Sequence, residues 1–122
     1  MIVKKLKETR CEDAKQLSND KNYVVYAILL DEKTKFLLED DDVFSFPFYV
    51  LASEVEVVNG AVSGYWKYEN PLDRSERFSS RPAMLASEEM LERFFYQNLV
   101  NGEENAKKEW ELIKEKLDSE ML

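Results

Sequence analysis

The segment Tyr23-Val-Val-Tyr-Ala-Ile-Leu-Leu30 combines β-branched and aromatic residues over the length of an ordinary strand. Apolar side chains fill its odd and even positions alike, which predicts a central strand covered on both faces. Working outward, Asp31-Glu-Lys-Thr34 is a polar break and Lys35 to Glu39 reads as a second strand, so the two make a hairpin. Beyond the acidic tip Asp40-Asp41-Asp42, Val43 to Leu51 is apolar and aromatic. Pro47 lacks a ladder donor there and predicts an edge or a bulge in a bent third strand. Glu54-Val-Glu-Val-Val58 alternates at period two, Asn59-Gly60 supplies a turn, and Tyr65 to Tyr68 restarts a short aromatic strand.

Sequential hairpins of this kind predict an antiparallel meander of about five strands over roughly residues 22–68, curled into a small barrel or half-barrel of the Src-homology-3 shape. On the N-terminal side, Thr9 and Glu12 have the form of a capping box, and Cys11, Ala14 and Leu17 would share one side of a short helix. On the C-terminal side, Leu72 to Arg81 reads as a surface connection. Met90, Leu91, Phe94, Phe95 and Leu99 then recur at helical spacing between Ser87, a candidate N-cap, and Gly102, a stop. A last helix starting near Glu103 would lay Ala106, Trp110, Ile113, Leu117 and Met121 along one stripe. The expected class is α+β: one domain over residues 1–122, with a short N-terminal helix and two C-terminal helices packed on the meander.

Composition narrows the chemistry. The 122 residues are 44% hydrophobic and 34% charged, enough apolar material for one core and no continuous membrane-spanning run. Histidine is absent and Cys11 is the single cysteine, so Ser-His-Asp triads, Cys-His dyads, the usual zinc sites and intrachain disulfides are excluded. Two lysines follow the start, but no apolar signal stretch does, and with a lone thiol this predicts the cytoplasm. Acids outnumber bases 25 to 17, for a net charge of −8, which repels phosphate backbones and anionic lipid and speaks against nucleic-acid or membrane partners. The excess is concentrated. Between Phe36 and Pro71, Glu39, Asp40, Asp41, Asp42, Glu54, Glu56 and Glu69 face one base, Lys67.

Each cluster also has an ordinary explanation. Glu39 to Asp42 could gather an oxygen-loving cation, but the alternating ligands, glycine and distant glutamate of a calcium loop are missing, so no metal is expected. Gly60, Gly64 and Gly102 cannot make a phosphate-binding loop. The aromatics Phe44, Phe46, Phe48, Tyr49, Tyr65, Trp66 and Tyr68 sit among acids, which favours core packing over base stacking. Arg74, Arg77 and Arg81 read as counter-charge on an acidic surface. No cofactor and no catalytic residue is expected.

Two stretches carry a resemblance. Leu17-x(5)-Tyr23-x-Val25-Tyr26-Ala27-Ile28, with the acidic tip after it, and Ala52-Ser-Glu-Val-Glu-Val-Val-Asn-Gly60-x-Val62-Ser63-x-Tyr65-Trp66 resemble small bacterial immunity-type proteins encoded beside polymorphic or contact-dependent toxins. The match runs over about residues 12 to 68. Leu91-Glu92-Arg93-Phe94-Phe95 and Trp110 look like the helical tail of such proteins. The resemblance implies a non-enzymatic inhibitor that covers a cognate toxin. A nucleic-acid-cleaving toxin needs a basic surface, so Glu39, Asp40, Asp41, Asp42, Glu54 and Glu56 would face its Lys or Arg while Tyr65 and Trp66 anchor a desolvated centre. Glu54 and Glu56 are expected on one strand face. The alternative is a regulatory or adaptor domain, of phage or mobile-element origin, using the same surface on another protein. A carboxylate enzyme with a divalent metal is a third. Oligomeric state is left open.

Overall fold

The computed structural model describes residues 1–10, 12–40, 47–69, 83–92 and 94–121. The strands are β1 (Ile2–Lys5), β2 (Asn22–Val24), β3 (Ala27–Leu30), β4 (Thr34–Leu38), β5 (Phe48–Leu51), β6 (Val55–Asn59), β7 (Trp66–Glu69) and β8 (Ala83–Ser87). One helical turn, α1 (Glu12–Lys15), lies between β1 and β2, and the helices α2 (Phe95–Val100) and α3 (Glu104–Glu120) close the chain. Short 3-10 turns occupy Ala52–Glu54 and Glu88–Leu91. No described helix is long and apolar enough to cross a membrane.

The class is α+β, but the strands form two antiparallel sheets, one ordered β2-β1-β6 and the other β5-β4-β3-β8-β7. This overturns the single curled meander and its barrel or half-barrel. The cause begins inside the run Tyr23–Leu30, which changes sheets at Val25 and Tyr26. Val25 N donates to Met1 O at 3.0 Å, and Tyr26 N donates to Leu37 O at 2.9 Å, one bond to each sheet. A second departure follows β5. The 3-10 turn at Ala52–Glu54 redirects the chain, and β6 pairs with β1 through Val3↔Val57 and Lys5↔Val55 rather than returning beside β5. β7 likewise leaves β6 and pairs with β8 through Trp66↔Ser87 and Glu69↔Met84.

The N-terminal helix is also corrected. The chain opens in a strand that is central to its sheet, and only the single turn of α1 follows it. Ala14 and Leu17 are buried there as expected of an inward side, with Leu17 N donating to Ala14 O at 3.1 Å. Cys11, Asp41, Asp42, Phe44, Phe46 and the connection Leu72 to Arg81, with its three arginines, lie outside the described residues.

Both faces of the five-stranded sheet are buried. Cross-strand pairing aligns Ala27, Ala86 and Leu37 on one face and Ile28 and Phe36 on the other, and all five are in the core. Tyr49 shares the Leu37 face and meets Tyr96 of α2 edge to face, with ring centroids 5.2 Å apart. α3 buries Ala106, Trp110, Ile113 and Leu117, four of the five residues in the stripe read from the sequence; the fifth, Met121, caps the helix and is partly exposed. Trp110 packs edge-on against Tyr26 at 5.0 Å, and Tyr26 Oη donates to Asp118 Oδ1 at 2.8 Å. Gly102, at φ +79°, ends α2 as the stop residue predicted for it. Its N–H donates to Leu99 O and that of Glu103 to Asn98 O, the paired bonds of a left-handed helix terminus.

Candidate functional site

The acids singled out in the sequence part into two groups. Asp40, just past β4, has no exposed surface. Tyr23 Oη donates to its Oδ2 at 2.5 Å, Ser18 Oγ approaches the same oxygen at 3.4 Å, and Ser18 N donates to Tyr23 Oη at 2.7 Å. Burial raises the Tyr23 pKa above its usual value, and the bond to Asp40 adds to that. Glu39 is held from α3. Trp110 Nε1 donates to its Oε2 at 2.7 Å, and Lys114 Nζ donates to Oε1 at 3.0 Å. Burial lowers the Lys114 pKa, but the bonds and charges of Glu39 and Glu111 outweigh this and leave it raised. Glu54, 7% exposed, accepts from Arg10 N at 3.0 Å. These three carboxylates are answered inside the fold, because an ionised group taken out of water needs partners that replace its hydration.

Glu56 and Tyr65 stand on the surface. Glu54 belongs to the 3-10 turn and Glu56 to β6, so the two do not share an exposed strand face. Trp66 is 9% exposed, and its Nε1 finds no acceptor among the described residues. Of the acidic run, the described Glu39 and Asp40 thus bond to Trp110, Lys114 and Tyr23 rather than to Tyr65. Of the remaining proposed contacts, Asp41 and Asp42 lie outside the described residues.

Between Glu56 and Tyr65 the chain exposes large apolar side chains. Val57 and Val58 on β6, Val62 after the turn, and Tyr65 before β7 are about half exposed, from 49% to 61%. The turn is built locally: Asn59 Oδ1 accepts from Ala61 N at 2.9 Å. It is then tied to the end of α3. Glu120 accepts from Ser63 Oγ and, at 2.9 Å, from Gly64 N, while Lys116 Nζ lies 5.8 Å from the centre of the Tyr65 ring. The amino terminus reaches the same region through Met1 N, 3.4 Å from Met121 Sδ, and burial lowers its pKa against the opposing pull of Glu120. Sequence reasoning passed over Val57, Val58, Val62 and Glu120. The doubled valine that breaks the alternation in Val55–Asn59 was the available signal, since a one-sided strand has no use for it.

A cleft between β7, β8 and α3 is bordered by Tyr65, Lys67, Ser87, Glu88, Ile113 and Lys116. Lys67 is paired with Glu88 at 3.2 Å, so that charge is already answered. Among the described residues no group of three or more Cys, Asp or Glu side chains could hold a metal ion. The arrangement suits contact with another macromolecule: half-exposed valines and a tyrosine, a single glutamate, and a turn anchored to a helix. No family model matches the chain, and no curated protein or solved structure matches it either.

Proposed function

We propose that this chain is a cytoplasmic binding protein that performs no bond-making of its own and neutralises a cognate toxin by covering the toxin's basic, substrate-binding surface. The observation that carries this reading is that four large apolar side chains, Val57, Val58, Val62 and Tyr65, stand about half exposed within nine residues of chain next to the exposed Glu56, on a molecule of net charge −8. Apolar groups at such a patch supply a desolvated centre, and the negative field steers a cationic partner onto it. The resemblance over about residues 12 to 68 supports the same reading. With Asp40 and Glu54 buried and Glu39 bonded to Trp110 and Lys114, the reading rests on Glu56 and Tyr65 among the described residues.

The test is co-expression with the product of the adjacent gene. A stable complex, rescue of growth, and an association rate that falls with added salt are expected. Failure to rescue, or substrate turnover by the purified protein lost on one side-chain replacement, would sink the proposal.

A further inference from the structure

Among the described residues the two sheets have four edges, β2, β6, β5 and β7. Exposed edges carry unpaired amides and carbonyls, and proteins blunt them with short strands, lysine, proline or a covering element. Three of these edges are blunted. β2 has three residues and follows Lys21, whose Nζ lies 5.0 Å from the centre of the Tyr23 ring. β5 begins directly after Pro47 and has α1 packed against it. β7 carries Lys67, paired with Glu88. β6 has five residues with neither lysine, arginine nor proline, and Val57 and Val58 stand about half exposed on it.

The backbone of β6 is also available. Leu6 N donates to Glu54 O at 3.1 Å, and the register continues Lys5↔Val55, Lys4↔Glu56, Val3↔Val57. Bonded and non-bonded pairs alternate in an antiparallel ladder, so Glu56 faces β1 while Val55 and Val57 turn their backbone groups to the open side. Val55 N–H is taken by Ala52 O. Among the described residues this leaves Val55 C=O and both backbone groups of Val57 open. The register shift between Ile2 and Val3 leaves Val58 as the extra residue of a bulge, with pairing resuming at Ile2↔Asn59.

We infer that β6 is a docking edge that accepts a short extended segment of a basic partner protein as an added strand. This rests on the proposed function and specifies its contact. Val57 N–H and C=O would exchange bonds with one residue of the segment, Val55 C=O would accept a third, and Val57 and Val58 would supply apolar contact. Charge selects the occupant. Glu56 is the one charge on the strand and favours Lys or Arg beside it, whereas a second copy would bring a net charge of −8 against −8.

The test selects short random peptides, displayed on a neutral scaffold, against the immobilised full chain, then measures synthetic winners by calorimetry. Selected peptides should alternate apolar residues with Lys or Arg, and on binding should slow exchange of the Val57 amide. Val57→Pro removes an N–H that the sheet does not use, and Val57→Lys restores an edge guard. Each should weaken binding about tenfold or more, while Lys67→Ala on the β7 edge leaves it unchanged. Circular dichroism of both Val57 variants checks that they fold. The inference is overturned by failure to select any peptide, by winners without basic residues, by binding unchanged in both Val57 variants, or by a dimer of the chain that Val57→Pro dissolves. Peptides that bind at Val57 while co-expression gives no rescue would retain the edge and remove the toxin reading. Rescue of growth that survives both Val57 variants would do the reverse.

Discussion

Tyr23 on β2 donates its phenolic hydrogen to the buried Oδ2 of Asp40 at 2.5 Å, while its oxygen accepts from Ser18 N. One hydroxyl thus ties the end of β4 to the turn that precedes β2. Tyr23→Phe removes both bonds and leaves a buried carboxylate short of a donor, so it should cost about 2 kcal/mol in urea unfolding. A loss below about 0.5 kcal/mol would mean the hydroxyl contributes no more than an ordinary surface contact.

Alkali should destabilise the fold through two groups. Tyr23 and Lys114 both have folded pKa values raised above the ordinary 10.0 and 10.5, so the native state holds their protons more tightly than the unfolded chain. That contribution is complete below pH 10 and is lost as pH rises through the folded values. Urea midpoints measured on either side of pH 10 should fall steeply, and more shallowly in Tyr23→Phe.

Glu39 should prove structural. Glu39→Ala strands Trp110 Nε1 and leaves Lys114 with Glu111 as its remaining ion-pair partner, and should cost about 3 kcal/mol; Glu39→Gln keeps an acceptor for the indole and should cost less. Equal losses in the two variants would assign the effect to the charge pair alone.

Gly102 occupies φ +79° with room for a methyl group beside it, its nearest neighbour being Lys107 Cε at 3.7 Å. Gly102→Ala therefore tests backbone strain in isolation and should lower stability by about 1 kcal/mol.

Glu56→Lys and Tyr65→Ala should leave thermal stability within about 0.5 kcal/mol, because both side chains are exposed. Against a basic partner, the first should slow association and flatten its salt dependence, and the second should speed dissociation, as read by surface plasmon resonance. Unchanged rates in both would take this surface out of the contact.

The hairpin Ala27–Leu30 with Thr34–Leu38 and the buried stripe of α3 were legible because both are local patterns, a polar break between apolar runs and a 3.6-residue period. Pairing was not. β6 is rich in valine as a strand should be, yet nothing in Val55–Asn59 names Ile2–Lys5 as its neighbour rather than β5. β1 itself is four residues with Lys4 and Lys5 in it, and it reads as a solvated start. The partners of the acids were hidden for a related reason. A run of acids reads as surface, whereas Glu39 and Asp40 are answered by Trp110 and Tyr23, 71 and 17 positions away. Whether a carboxylate is solvated or sequestered depends on partners that only the fold brings near.

The passage of Tyr23–Leu30 from one sheet to the other has a bearing on how the molecule comes apart. A break at Val25 or Tyr26 frays both sheets at once, so neither has a private route to opening. Amide hydrogens of Val3 and Leu37, in different sheets, should exchange with solvent through one shared global event, at matching free energies.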